Sequence, residues 1–108
     1  MLKNKTLHNK ALSDKDAISI IASGDFFPYY ETNRSDTNLL FDDIRSEIDK
    51  ADICITNLEA PITNANSKIK KIGPNLKSPP ESVELLKKSG INVACLANNH
   101  IMDYGVNG

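Results

Sequence analysis

The chain has 108 residues, of which 40% are hydrophobic and 25% are charged. This size and composition are typical of one small globular domain and exclude a disordered or fibrous chain. Thirteen Lys and Arg against fourteen Asp and Glu give a net charge of -1. The chain therefore has no excess positive charge that would attract nucleic acid or an anionic membrane, and no nucleic-acid partner is predicted.

Residues 1–16 are polar and lack hydrophobic periodicity, which predicts a flexible N-terminal arm. This segment contains no continuous apolar stretch that would act as a signal peptide or cross a membrane. The sequence as written therefore predicts a cytoplasmic protein without a direct membrane span. His8 lies in the arm and is expected to be solvated.

Three short apolar runs alternate with two helical patterns in residues 17–108. Residues 17–23, 52–56 and 91–97 are rich in aliphatic and β-branched side chains, which is typical of strands buried on both faces of a parallel sheet. The first run is expected to end at Gly24-Asp25 and the second near Pro61. Residues 36–51 have the apolar spacing of an amphipathic helix. The pattern predicts an α/β fold, mostly parallel, with flanking helices.

The second helix is predicted between Pro79 and Gly90. Its expected apolar stripe is Val83, Leu85 and Leu86, and Gly90 is expected to be the C-cap. Before this helix, a lysine-rich stretch is predicted to form a short irregular strand or hairpin through its apolar residues, Ile69, Ile72 and Leu76.

The two cysteines, Cys54 and Cys95, each lie inside an apolar run. A thiol in such a position usually behaves as a small buried hydrophobe, so reduced cysteines are predicted in preference to a disulfide.

Polar residues follow each of the three predicted strands. Ligands of parallel α/β sheets bind outside the carboxyl ends of the strands, so these residues are expected to share one rim. Carboxylates, amides and an imidazole at one rim are suited to binding a divalent metal ion and to proton transfer. The residues concerned are Asp25, Asn57, Glu59, Asn98, Asn99, His100 and Asp103.

Each polar cluster alone also has a purely structural interpretation. Gly-Asp after a strand is common turn chemistry, Glu59 is compatible with an exposed loop carboxylate, and Asn57 with a bond to neighbouring backbone. The three clusters together favour a site.

The runs IIASGDFFP, ADICITNLEAPIT and GPNLKSPPESVELLKKSGINVACLANNHIMDYG, in this order and at this spacing, resemble the bacterial capsule-synthesis CapA family, also described as poly-gamma-glutamate synthesis proteins. The resemblance extends from about residue 18 to residue 108. It implies a domain similar to the calcineurin-like metallophosphoesterases, an α/β sandwich of which residues 17–108 would form the N-terminal part. It also implies cell-envelope association and an anionic polymer or phosphate-containing substrate.

Site roles follow from this resemblance only where residues match. Asp25 matches a metal ligand of the first motif, and Glu59 is expected to supply a carboxylate to the second. Asn99 matches a metal ligand of the third motif, and His100 matches the residue that acts on the leaving oxygen.

The sequence departs from the metallophosphoesterase pattern at three positions. Phe27 stands where a histidine is expected, Asn57 where a bridging aspartate is usual, and Ile101 where an acidic residue usually follows. Asn57, Asn98 and Asp103 are expected to bind substrate or to support the ligands. Replacing the bridging carboxylate by an amide removes charge that would hold two cations together.

Two hypotheses follow. In the first, the complete domain is a metal-dependent phosphoesterase-like hydrolase of capsule or polyglutamate synthesis. In the second, the chain is an inert truncated fragment or a binding or assembly module, which functions as a homo-oligomer or with a complementing chain.

Overall fold

The computed structural model describes residues 17–29 and 41–108. The predicted arm at 1–16 and the beginning of the first predicted helix lie outside these residues. In chain order the elements are β1 (Ile20–Phe26), α1 (Asp42–Ile48), β2 (Ile53–Leu58), α2 (Ser82–Ser89) and β3 (Val93–Cys95), followed by a 3-10 turn (Gly105–Asn107). No helix within the described ranges has the length and apolarity that crossing a bilayer requires.

The three strands form one parallel sheet in the order β1-β2-β3. This arrangement confirms the predicted α/β fold. β1 does not end at Gly24 as predicted, because pairing with β2 resumes at Asp25 after a register irregularity. Just beyond the end of β2, the N–H of Glu59 donates to the carbonyl oxygen of Phe26, the last residue of β1, at 3.0 Å, which holds the two strands together up to the rim.

Burial is concentrated on the central strand β2, where Cys54, Thr56 and Leu58 alternate with half-buried residues. The prediction that β1 and β3 are buried on both faces is wrong for the described structure: Ile20 is 58% exposed and Val93 is 41% exposed. The physical reason is that β1 and β3 are edge strands, and the described helices cover too little of the sheet to bury them.

Helix α2 confirms the predicted element but not its apolar stripe. Leu85 is buried, whereas Val83 is 38% exposed, and the other buried positions are Ser82 and Ser89. The hydroxyl of Ser89 is accommodated because it donates to the carbonyl oxygen of Leu86 at 2.7 Å and accepts from the N–H of Ile91 at 3.2 Å. A small hydroxyl with local partners can therefore replace an apolar side chain on the buried face.

Gly90 ends α2 in the left-handed conformation, with φ of +82°, as predicted. A Cβ added there would lie 2.6 Å from Cγ2 of Ile48, the buried residue at the end of α1. Arg45 of α1 also donates to the carbonyl oxygen of Lys88. The absence of a side chain at Gly90 thus allows the two helix ends to approach closely.

The connection between β2 and α2 does not contain the predicted hairpin. Its pairing consists of one isolated bridge between Ile62 and Ser78, and Ile72 is fully exposed. The segment is instead fixed by polar contacts to the turn after β3. Ile69 N and the side chain of Asn75 both donate to the carbonyl oxygen of Asp103, at 2.9 and 3.1 Å.

Both cysteines are free thiols, as predicted. Cys54 is buried in β2, but Cys95 is exposed because β3 is an edge strand.

Candidate functional site at the strand ends

The carboxyl ends of the three strands bring the predicted clusters together. Asp25 is the register partner of Asn57, which in turn pairs with Cys95 of β3, three residues before Asn98. Parallel pairing aligns these positions because each strand enters the rim from the same direction. The shared rim expected from the sequence is present.

Asn57 connects the first two clusters. Its Nδ2 donates to Oδ1 of Asp25 at 2.7 Å and to Oε2 of Glu59 at 3.1 Å. Two carboxylates thus share one neutral amide group. The Oδ1 of Asn57 accepts from Nδ2 of Asn98 at 3.1 Å, which extends the network to the third strand.

Asn98 fixes the turn that carries His100. Its Nδ2 also donates to the carbonyl oxygen of Leu58 at 2.7 Å. Its Oδ1 accepts from the backbone N–H groups of His100 and Ile101, at 2.9 and 3.0 Å. Asn98 therefore positions the turn against β2, as Asn side chains commonly do by bonding to nearby backbone.

His100 lies between two carboxylates. Its Nδ1 is 2.7 Å from Oδ2 of Asp103, and its Nε2 is 3.6 Å from Oε1 of Glu59. A separation of 2.7 Å from an ionised oxygen requires the hydrogen to be on Nδ1, so the neutral ring carries its lone pair on Nε2, on the side of Glu59.

Asp103 is fully buried and holds His100 in position through its carboxylate. Its carboxylate accepts from Lys71, from His100 and from the backbone N–H of Leu76, the last at 2.7 Å. Burial raises the pKa of Asp103, but these three hydrogen bonds and the charge of Lys71 outweigh burial and lower the pKa to about 2.

A family model described as bacterial capsule synthesis protein PGA_cap matches residues 7–108. The chain belongs to this family. Among curated proteins, none matches the chain. The PGA_cap assignment agrees with the CapA resemblance of the sequence, and it establishes capsule synthesis at the level of the family.

Lys71 is the residue of the strand-end cluster that the sequence did not reveal. Its ammonium group bonds to Asp103 and lies 3.2 Å from Nδ1 of His100. Lys71 stands in a stretch with Lys68 and Lys70, and nothing in the sequence distinguishes it from them. Its side chain is 20% exposed, so it is the lysine of this stretch that is folded against the site.

Asn99 is the predicted site residue that the structure leaves outside the network. It is exposed, and its side chain has no hydrogen bond to any of the described residues. The metal-binding role expected for Asn99 stays a prediction.

The donor groups of the site are suited to a hard divalent cation that keeps several water ligands. In the described part of the chain, no group of three or more His, Cys, Asp or Glu side chains is placed to enclose a metal ion. Asp25 and Glu59 nevertheless converge on a neutral amide, and no Lys or Arg of the described residues forms an ion pair with either carboxylate. Mg²⁺ is typically bound through one or two carboxylates, water and substrate phosphate, which such a pair satisfies.

Proposed function

We propose that this PGA_cap protein is a metal-dependent, phosphoesterase-like hydrolase in bacterial capsule synthesis, acting on an anionic polymer or a phosphate-containing substrate. The observation that carries the proposal is the position of His100. Its Nδ1 is held by a buried carboxylate and its Nε2 lies 3.6 Å from a second carboxylate, at the strand ends where α/β sheets bind ligands.

Asp25 and Glu59 are the residues that would hold the cation. A bound divalent ion supplies a Lewis acid and lowers the pKa of a coordinated water. The neutral amide of Asn57 provides less negative charge than a bridging carboxylate would, so the site is proposed to take one cation and not two.

His100 performs the proton transfer through Nε2. Asp103 fixes the ring through Nδ1, so that Nε2 would take a proton from water, donate it to the leaving oxygen, and be reprotonated by water before the next turnover. The anionic Asp103 also compensates the positive charge of the ring while it holds that proton. Asn98 keeps the backbone of the turn in place, so the ring needs little reorganisation.

A second candidate is a binding or assembly module without catalysis. Its support is the exposed apolar surface of the edge strands, where Ile20 is 58% and Val93 is 41% exposed. Apolar side chains that stay exposed on edge strands are available for pairing with or packing against another chain. Association with the cell envelope, through another component of the capsule machinery, is proposed with either candidate.

A metal titration coupled to a hydrolysis assay tests the first candidate. We expect saturable binding of Mg²⁺ or Mn²⁺ and metal-dependent hydrolysis of bis(p-nitrophenyl) phosphate. Glu59→Gln should weaken metal binding, and His100→Gln should lower kcat by about 100-fold because it removes the proton carrier. Glu84→Gln is the matched control, since Glu84 is an exposed carboxylate on α2. Absence of binding at millimolar metal, with no hydrolysis, would refute the proposal and favour the module.

A further inference from the structure

A cleft of about 480 Å³ adjoins the site. Its volume lies within the range of about 300–1,000 Å³ that is usual for small-molecule sites. The lining includes the aromatic rings of Phe27, Tyr29 and Tyr104 together with Asn64, Asn75 and Lys77. The cleft therefore combines flat apolar surfaces, amide groups and one cation.

The cleft and the strand-end site share parts of the chain. Phe27 follows Asp25 by two residues, and Tyr104 directly follows Asp103. Asn75 lines the cleft and also donates to the carbonyl oxygen of Asp103 at 3.1 Å. A ligand bound in the cleft would consequently lie beside the turn that carries the proposed proton donor.

Lys77 supplies a positive charge to the cleft. Its Nζ donates to the carbonyl oxygen of Ala65 at 2.6 Å and to Oδ1 of Asn66 at 3.3 Å, and it lies 4.9 Å from the centroid of the Tyr104 ring. None of these groups carries a formal charge, and within residues 17–29 and 41–108 no carboxylate forms an ion pair with Lys77. An ammonium group has three donors, so one remains to bind an anion.

The aromatic residues favour a ligand with a flat apolar face. The centroids of Phe27 and Tyr29 are 5.9 Å apart, and the two residues are 37% and 62% exposed. A sugar ring presents C–H groups that pack on such surfaces and hydroxyls that bond to amide side chains such as Asn64 and Asn75. A flexible acidic peptide has no comparable flat face.

We propose that the cleft binds a carboxylate-bearing sugar ring, a hexuronate unit, with its carboxylate on Lys77 and its apolar face on the aromatic wall. The inference rests on the proposed function in one respect: it names the class of substrate that the cleft would hold beside the strand-end site. Binding in the cleft itself requires neither His100 nor a metal ion.

Titration with trigalacturonate, followed by calorimetry and by amide NMR shifts, tests the assignment. We expect saturable binding with shifts at Asn64, Asn75 and Tyr104. Lys77→Met should weaken binding by about tenfold or more, because a hydrogen bond to a charged group is lost, while Lys77→Arg retains most of it. Lys70→Met, at an exposed lysine outside the cleft lining, should leave binding unchanged.

Further ligands and variants make the result decisive. Equal affinity for neutral maltotriose would overturn the role of Lys77, and equal affinity for triglutamate would overturn the sugar assignment in favour of an acidic peptide. NMR shifts outside the cleft would overturn its location even if Lys77→Met were to unfold. Binding that survives His100→Gln supports the cleft independently of catalysis. Failure of trigalacturonate to bind, with metal-dependent hydrolysis intact, would refute the cleft assignment alone.

Discussion

Nδ1 of His100 lies 2.7 Å from Oδ2 of Asp103, a residue that is fully buried. This pair joins the turn after β3 to the connection between β2 and α2, because the same carboxylate accepts from Lys71 and from Leu76 N. The contact therefore orients the proposed catalytic ring. The same carboxylate also holds the connection between β2 and α2 against the turn after β3.

Replacement of Asp103 by Asn should destabilise the protein by about 2–3 kcal/mol, because a buried acceptor of charged hydrogen bonds is lost and Lys71 is left without its partner. Urea unfolding measures the change. Asp49→Asn is the matched control, since the Asp49 side chain is 63% exposed, and it should shift the free energy of unfolding by less than about 0.5 kcal/mol. Equal effects of the two changes would show that the Asp103 network contributes little to stability.

Acid should weaken the fold through the same carboxylate. Hydrogen bonding in the folded state outweighs burial and lowers the pKa of Asp103 from 3.8 to about 2, so the unfolded chain binds a proton more readily than the folded one. The stabilisation from Asp103 is complete above pH 4 and is lost as the pH falls through about 2. Urea unfolding between pH 5 and pH 2 should therefore show a steeper decline for the wild type than for Asp103→Asn. Parallel curves for the two proteins would contradict this.

The strand-end site could be predicted because alternating strands and helices imply parallel pairing, and parallel pairing gathers the carboxyl ends. The pattern predicts that Asp25, Glu59 and His100 lie at one rim, and the structure places them there. The burial of β1 and β3 could not be predicted from the sequence. An apolar run indicates that a strand favours burial, but it does not show whether a helix or another strand packs against it. Lys71 was missed because it enters the site from an irregular connection, and its contacts with Asp103 depend on tertiary structure.

Lys71→Met should lower the rate of the proposed hydrolysis, because Asp103, which orients His100, loses its positively charged partner. Loss of the ammonium group removes one hydrogen bond and one positive charge from Asp103, so the pKa of Asp103 should rise, which NMR titration measures directly. Stability should fall by about 2 kcal/mol. Lys71→Arg should restore the lowered pKa, and the exposed neighbour Lys70→Met should change neither quantity. An unchanged pKa in Lys71→Met would show that Lys71 does not act on this carboxylate.

Asn57→Asp should strengthen metal binding. The change places a third carboxylate between Asp25 and Glu59, whose oxygens lie 2.7 and 3.1 Å from the present amide nitrogen. Without metal the three negative charges repel, so the apo protein should be less stable than the wild type. With metal the added charge should raise affinity by about tenfold or more, since ligand charge is a principal determinant of affinity for hard cations. Calorimetric titration with Mn²⁺ measures this, and Asn57→Ala serves as the control that removes the amide without adding charge. If Asn57→Asp lowers the thermal midpoint equally with and without Mn²⁺, Asp25 and Glu59 are not metal ligands.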